Sequence, residues 1–164
     1  MKISLFAWSF PELTLKECAG LARVLGIPAI DIGFFYRASL DRGSIRDDPE
    51  AAAGLVTGLG VDLACMYHFF GATMIDRNLA DPSARAINID LHQTARFCSA
   101  AAIPTIFVLP GMVNPGQTRA SAYDEAARTL APMIEICAAE GVTLTIEPNV
   151  RSFLEAPDQT LRFL

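Results

Sequence analysis

Glu147 closes an apolar run in L-T-I-E-P-N, and a carboxylate in that place has three uses. It holds a hard metal ion, acts as a general base, or forms half of an ion pair, for which Arg151 is the local cation. Asp31 stands between two isoleucines in A-I-D-I-G. An acid there must face the functional end of a sheet or find a buried partner. His68, one of only two histidines, follows V-D-L-A-C-M-Y. It orients a hydroxyl, shuttles a proton, or is satisfied as a rim residue. Trp8, followed by Ser9 and Phe10, lines a ligand or packs a loop. Gly111, after Pro110, lets a substrate approach the backbone or makes a plain turn. His92, among polar neighbours in a helical segment, reads as a surface residue.

The elements that must position these residues alternate along the chain. Ile3–Trp8, Ala29–Phe34, Val61–His68, Thr105–Leu109 and Val142–Ile146 read as strands, with helix-type segments between them. T-L-K-E from Thr14 to Glu17 is a capping box, followed by the apolar stripe Leu15, Cys18, Ala22 and Leu25 and a stop at Gly26. A long loop with Arg37, Asp41, Arg42, Arg46 and Asp47 precedes Asp48-Pro49, which opens a helix to Leu59. Asp81-Pro82 repeats that start, and Ile87, Leu91, Ala95 and Cys98 line the helix after it. The segment Thr118–Glu140 turns Ala126, Leu130, Ile134 and Cys137 inward, and Pro132 is expected to kink or interrupt it. Pro157-Asp158 begins a last helix.

Five successive strand–helix units predict an α/β domain over residues 1–164, its parallel sheet covered by helices. An open flavodoxin-type sheet and the first five units of an eight-fold barrel both fit that count. Either one gathers its functional residues at the carboxyl ends of the strands. The flavin-binding form wants a Ser/Thr-rich phosphate loop after the first strand, and S-F-P-E-L-T is not one.

Composition narrows the partners. With 164 residues, 52% hydrophobic and 19% charged, the chain is not a disordered one. Every apolar stretch is too short for a membrane span. A net charge of −5 with scattered Lys and Arg argues against nucleic acid. The start, Met1–Phe10, has one Lys and no A-x-A cleavage pattern before Pro11, which argues against a signal peptide. Cys18, Cys65, Cys98 and Cys137 form no pair or cluster, so each reads as a small hydrophobe in a reducing cytoplasm.

The opening K-I-S-L-F-A-W-S-F, then A-I-D-I-G, V-L-P-G and above all L-T-I-E-P-N-V-R-S-F-L-E-A-P-D together resemble the sugar phosphate isomerase/epimerase family. The likeness implies a xylose isomerase-like (β/α)8 TIM barrel, of which this chain covers the first five units, with its strands in sequence order. It implies that Glu147 is a divalent-metal ligand (Mn²⁺, Mg²⁺, Co²⁺ or Zn²⁺) and a proton carrier, the remaining ligands lying beyond residue 164. Asp31 and Gly111 match positions of the family's pocket, and Asn149 stands where relatives often have His. Leu109 and Arg151 also depart from the common pattern, which has His and Gly there. Endonuclease IV shares this barrel, but the acidic balance and the missing histidine-rich cluster argue against DNA repair.

The expected activity is a metal-dependent isomerisation or epimerisation of a small sugar or related keto or polyol compound by enediol-type proton transfer. Glu147 is the expected catalytic residue, and His68, Asp31, Trp8, Gly111 and Asn149 the expected substrate contacts. Glu147, Asp31 and His68 are expected in one cavity. The alternative is a non-catalytic partial-barrel module that binds a ligand or partner. A homo-oligomer is one way to cover the open edges of a five-stranded sheet.

Overall fold

The computed structural model describes residues 3–34, 36–68, 78–83 and 90–164. Among these residues five short strands, β1 (Ser4–Phe6), β2 (Ala29–Ile32), β3 (Asp62–Tyr67), β4 (Thr105–Val108) and β5 (Thr143–Ile146), alternate with six α-helices. These are α1 (Leu15–Val24), α2 (Arg42–Asp47), α3 (Pro49–Thr57), α4 (Leu91–Ala100), α5 (Arg119–Ala139) and α6 (Pro157–Phe163). All strand pairs are parallel, and their order is β1-β2-β3-β4-β5. That order is the barrel-wall arrangement rather than the flavodoxin one, which would put β1 between β2 and β3.

Local chemistry accounts for most boundaries. The Thr14 hydroxyl accepts from the Glu17 N–H while Glu17 accepts from the Thr14 N–H at 2.7 Å, so α1 starts at the capping box. Asp48 and Thr118 cap α3 and α5 by accepting from the backbone N–H of Ala51 and Ser121. Three elements differ from expectation. β1 ends at Phe6 because Ala7–Ser9 winds into a 3-10 turn, which takes Trp8 out of the strand. The long loop before Asp48 contains α2, started by Asp41, whose side chain accepts from the Gly43 N–H. Pro132 does not interrupt α5, which runs unbroken for 21 residues. Pro132 and Arg128 lie on its exposed side, so water can reach the Arg128 carbonyl that proline leaves unpaired. Ile87, expected on the helix that follows Asp81-Pro82, falls outside the described residues.

The register sorts the strand residues onto two faces. Phe6 pairs with Asp31, Asp31 with Cys65, Tyr67 with Phe107, and Phe107 with Thr145. Alternation then turns Leu5, Ile30, Ile32, Met66, Ile106 and Val108 to the opposite face. There they form one buried apolar cluster with Cys18 and Ala22 of α1, Val56 of α3, Leu91 and Cys98 of α4, and Ala126 and Met133 of α5. A shift in register between Ile30 and Asp31 brings Asp31 level with Cys65.

Candidate active site at the carboxyl ends of the strands

The inner face opens on a concavity of about 400 Å³ lined by Phe6, Asp31, Cys65, Phe107, Thr145, Ile146, Glu147 and Pro148. Two carboxylates project into it from non-adjacent strands. Asp31 is tethered, since the Ser4 hydroxyl on β1 donates to its Oδ2 at 2.7 Å. Partial burial lifts the Asp31 carboxyl above the ordinary aspartate range, and the Ser4 hydrogen bond pulls it part of the way back. Glu147 follows β5, and its N–H donates to the Val108 carbonyl at 2.9 Å, which continues the β4–β5 ladder to the residue that bears the carboxylate. Its carboxyl is also raised, first by partial burial and then by the charge of Asp31. Between them, burial and both acids push the Cys65 thiol up to about 12, so it stays neutral at physiological pH.

One side of the site is a row of aromatic rings. Tyr67 stacks on Phe107 with centroids 4.8 Å apart. Phe6 meets Phe107 edge-on at 5.9 Å, and Trp8 meets Phe6 at 6.1 Å and Tyr67 at 5.4 Å. Rings at such spacings attract one another beyond their buried area. The inner face thus pairs an apolar wall with acidic groups.

The expected site residues divide. Asp31 and Glu147 share the concavity, and Trp8 joins the ring row at its edge. His68 lies elsewhere. It is buried in a small pocket with Phe34, Arg42, Asp90, Gln93 and Thr94. Burial and the nearby Arg42 charge hold its imidazole down to about 3, so it is neutral. Counting explains the separation, because Cys65 and Tyr67 face inward and His68 falls on the other parity. Gly111 has φ 91°, and a Cβ there would lie 2.6 Å from Asn78 Cα. The room left by its missing side chain is taken by buried Asn78, whose Oδ1 accepts from the Met112 and Ala80 N–H groups. Asn149 is half-buried just past Glu147, and its carbonyl accepts from the Ser152 N–H at 3.2 Å. The Arg151 N–H donates to Glu155 at 3.0 Å, with φ 67° at Arg151. Ser4, Phe6, Cys65, Tyr67, Phe107 and Thr145 are inner-face residues that the sequence analysis does not single out. The signal for them was the period-two alternation out from Asp31 and Glu147.

A divalent cation fits this donor set in kind. Carboxylate oxygens are hard donors, and Glu147, whose proton affinity Asp31 raises, is relieved by positive charge. In number the set is partial: among the described residues no three His, Cys, Asp or Glu side chains gather as a metal shell.

Residues 19–164 match the family model described as the xylose isomerase-like TIM barrel. The chain belongs to that family. Solved structures agree on the fold of this xylose isomerase-like chain. An L-ribulose 3-epimerase superposes with TM-score 0.71 at 20% identity, covering 100% of this chain and 56% of the epimerase. The 3-keto-D-glucoside 4-epimerase of E. coli gives TM-score 0.71 at 12% identity over 99% of this chain and 63% of its own. The IOLI protein, solved with a binding zinc atom, gives TM-score 0.73 at 12% identity over 99% of this chain and 58% of its own. The chain therefore spans 56–63% of the length of these structures. No curated protein matches the sequence significantly. Among the described residues no helix is long and apolar enough to cross a membrane.

Proposed function

We propose that this chain carries part of the active centre of an isomerase or epimerase acting on a small sugar or related keto or polyol compound, in cytoplasmic carbohydrate metabolism. The observation that carries the reading is the placement of Glu147 and Asp31 in one concavity at the carboxyl ends of β5 and β2. In barrels of this class that end of the sheet is where substrates bind.

Glu147 takes the proton from the substrate carbon beside the carbonyl to leave an enediol-type intermediate. The proton returned to the neighbouring carbon, with the hydroxyl proton passing between the two oxygens, completes an isomerisation. An epimerisation is instead completed by a second acid that protonates the opposite face of the same carbon. The raised carboxyl of Glu147 suits that work, because a stronger base takes a carbon-bound proton more readily. Asp31, fixed by Ser4, accepts hydrogen bonds from substrate hydroxyls on the β2 side of the concavity. Trp8 and the rings beside it offer the apolar face of the pocket. Asn149 is a further polar contact beside Glu147. Glu147 would also be a ligand to a divalent metal, and Asp31 is the other carboxylate of the concavity. When bound, the metal supplies polarisation of the carbonyl and adjacent hydroxyl.

Titration with Mn²⁺, followed by water-proton relaxation, tests the ligand role. Saturable binding that Glu147→Ala weakens at least tenfold supports it, and equal binding by the variant refutes it. Washout of deuterium from the carbon next to a ketose carbonyl tests the chemistry. A chain that neither responds to metal nor exchanges the label is the non-catalytic, ligand-binding module instead.

A further inference from the structure

Tyr36 is held in a conformation that tyrosine does not adopt by itself. Its φ of 43° lies in the left-handed region, where a position that only needs the turn goes to Gly or Asn. Two hydrogen bonds fix the turn around it. Arg37 Nη1 donates to the Glu12 carbonyl at 2.7 Å, and the Leu40 N–H donates to the Gly33 carbonyl at 3.0 Å. Ala38 is buried beneath the turn. Tyr36 is 65% exposed, so it contributes little to the core that these anchors serve. Its partner is Trp8, which it meets edge-on at 6.4 Å. Trp8 in turn leans on Tyr67, and Tyr67 on Phe107 of the concavity. Tyr36 is therefore the outermost ring of a row that runs from the site to its rim.

Strain held in place by its surroundings, at an exposed residue beside a binding site, is typical of ligand clamps. We propose that Tyr36 is a specificity-determining clamp residue: with Trp8 it packs against the C–H face of an uncharged sugar whose hydroxyls turn toward Asp31 and Glu147. The inference rests on the sugar reading above. The physical basis is the ring quadrupole, whose negative face attracts the weakly positive C–H groups of a polyhydroxylated ligand.

Trp8 is the sole tryptophan of the sequence, so its fluorescence reports this rim without labelling. Titration with D-fructose should give a saturable change in the wild-type chain. Tyr36→Gly removes the ring and relieves the backbone; it should weaken binding at least tenfold while the thermal midpoint stays level or rises. Tyr36→Phe keeps the ring and should bind within about twofold of wild type. If Tyr36→Gly binds as wild type does, the clamp is refuted and the sugar reading stands. If Tyr36→Gly lowers the thermal midpoint markedly, or Tyr36→Phe loses binding with it, the residue is structural or acts through its hydroxyl, and the clamp is refuted again. A wild-type chain that gives no response to D-fructose takes away both the sugar reading and the clamp.

Discussion

The two faces of the sheet obey different rules. On the outer face Ile30, Ile32, Met66, Ile106 and Val108 are all fully buried under helices, and no ionisable group interrupts these five. On the inner face the same strands present Asp31, Cys65 and Glu147 among aromatic rings. Each strand is only three to six residues long, so neighbouring residues serve opposite ends: one residue packs the core and the next can meet a ligand. Stability and chemistry are thus separated by a single step along the chain.

That separation can be broken where it is strongest. Ile106→Ala should cost about 2–5 kcal/mol by leaving a cavity under α4 and α5, read as a lower denaturant midpoint. Thr145→Ala, on the inner face, should stay within about 0.5 kcal/mol, because its site is exposed. Equal losses would dissolve the distinction. Asp31→Asn sharpens it from the acidic side. The folded-state carboxyl is raised, so the stability linked to its proton is complete below the unfolded value and is lost as pH rises through the folded value. The variant escapes that loss, and its thermal midpoint should exceed wild type at pH 7 and converge with it near pH 3. The smallest effect belongs to Ser4→Ala. Losing the hydroxyl that holds Asp31 down should move the Asp31 titration further up, measurable by carboxyl ¹³C NMR.

Much of this arrangement is legible in the sequence because it is local. The capping box at Thr14, the Asp48-Pro49 start and the five apolar runs each carry their signal within a few residues, and their order is the order of the sheet. Asp31 and Glu147 could be singled out because an acid beside isoleucines needs a reason. The departures are longer in range. His68 ends a strand as the acids do, but which side a residue faces depends on register, and here β2 and β3 shift at Ile30/Asp31. In strands covered on both faces, apolar runs do not mark the inward residues. α2 has six residues, too few to show a helical period, and its one local sign was the cap at Asp41. The role of Gly111 depends on Asn78, 33 residues earlier in the numbering, which no spacing rule connects to it.

That last contact has a consequence for how this sequence can change. The Asn78 amide donates to the Met112 carbonyl and to Asn114, while the Ala80 carbonyl accepts from Asn114 and Gln117. The loop after β4 is therefore buttoned to residues 78–80 through a hole that exists only while position 111 is bare. Drift can admit a side chain there only after Asn78 has gone, and losing Asn78 first would strand the Met112 and Ala80 amides without their acceptor. Neither step is harmless alone. The two positions should pass through evolution as a unit, and a relative that has abandoned one should be found to have abandoned the other.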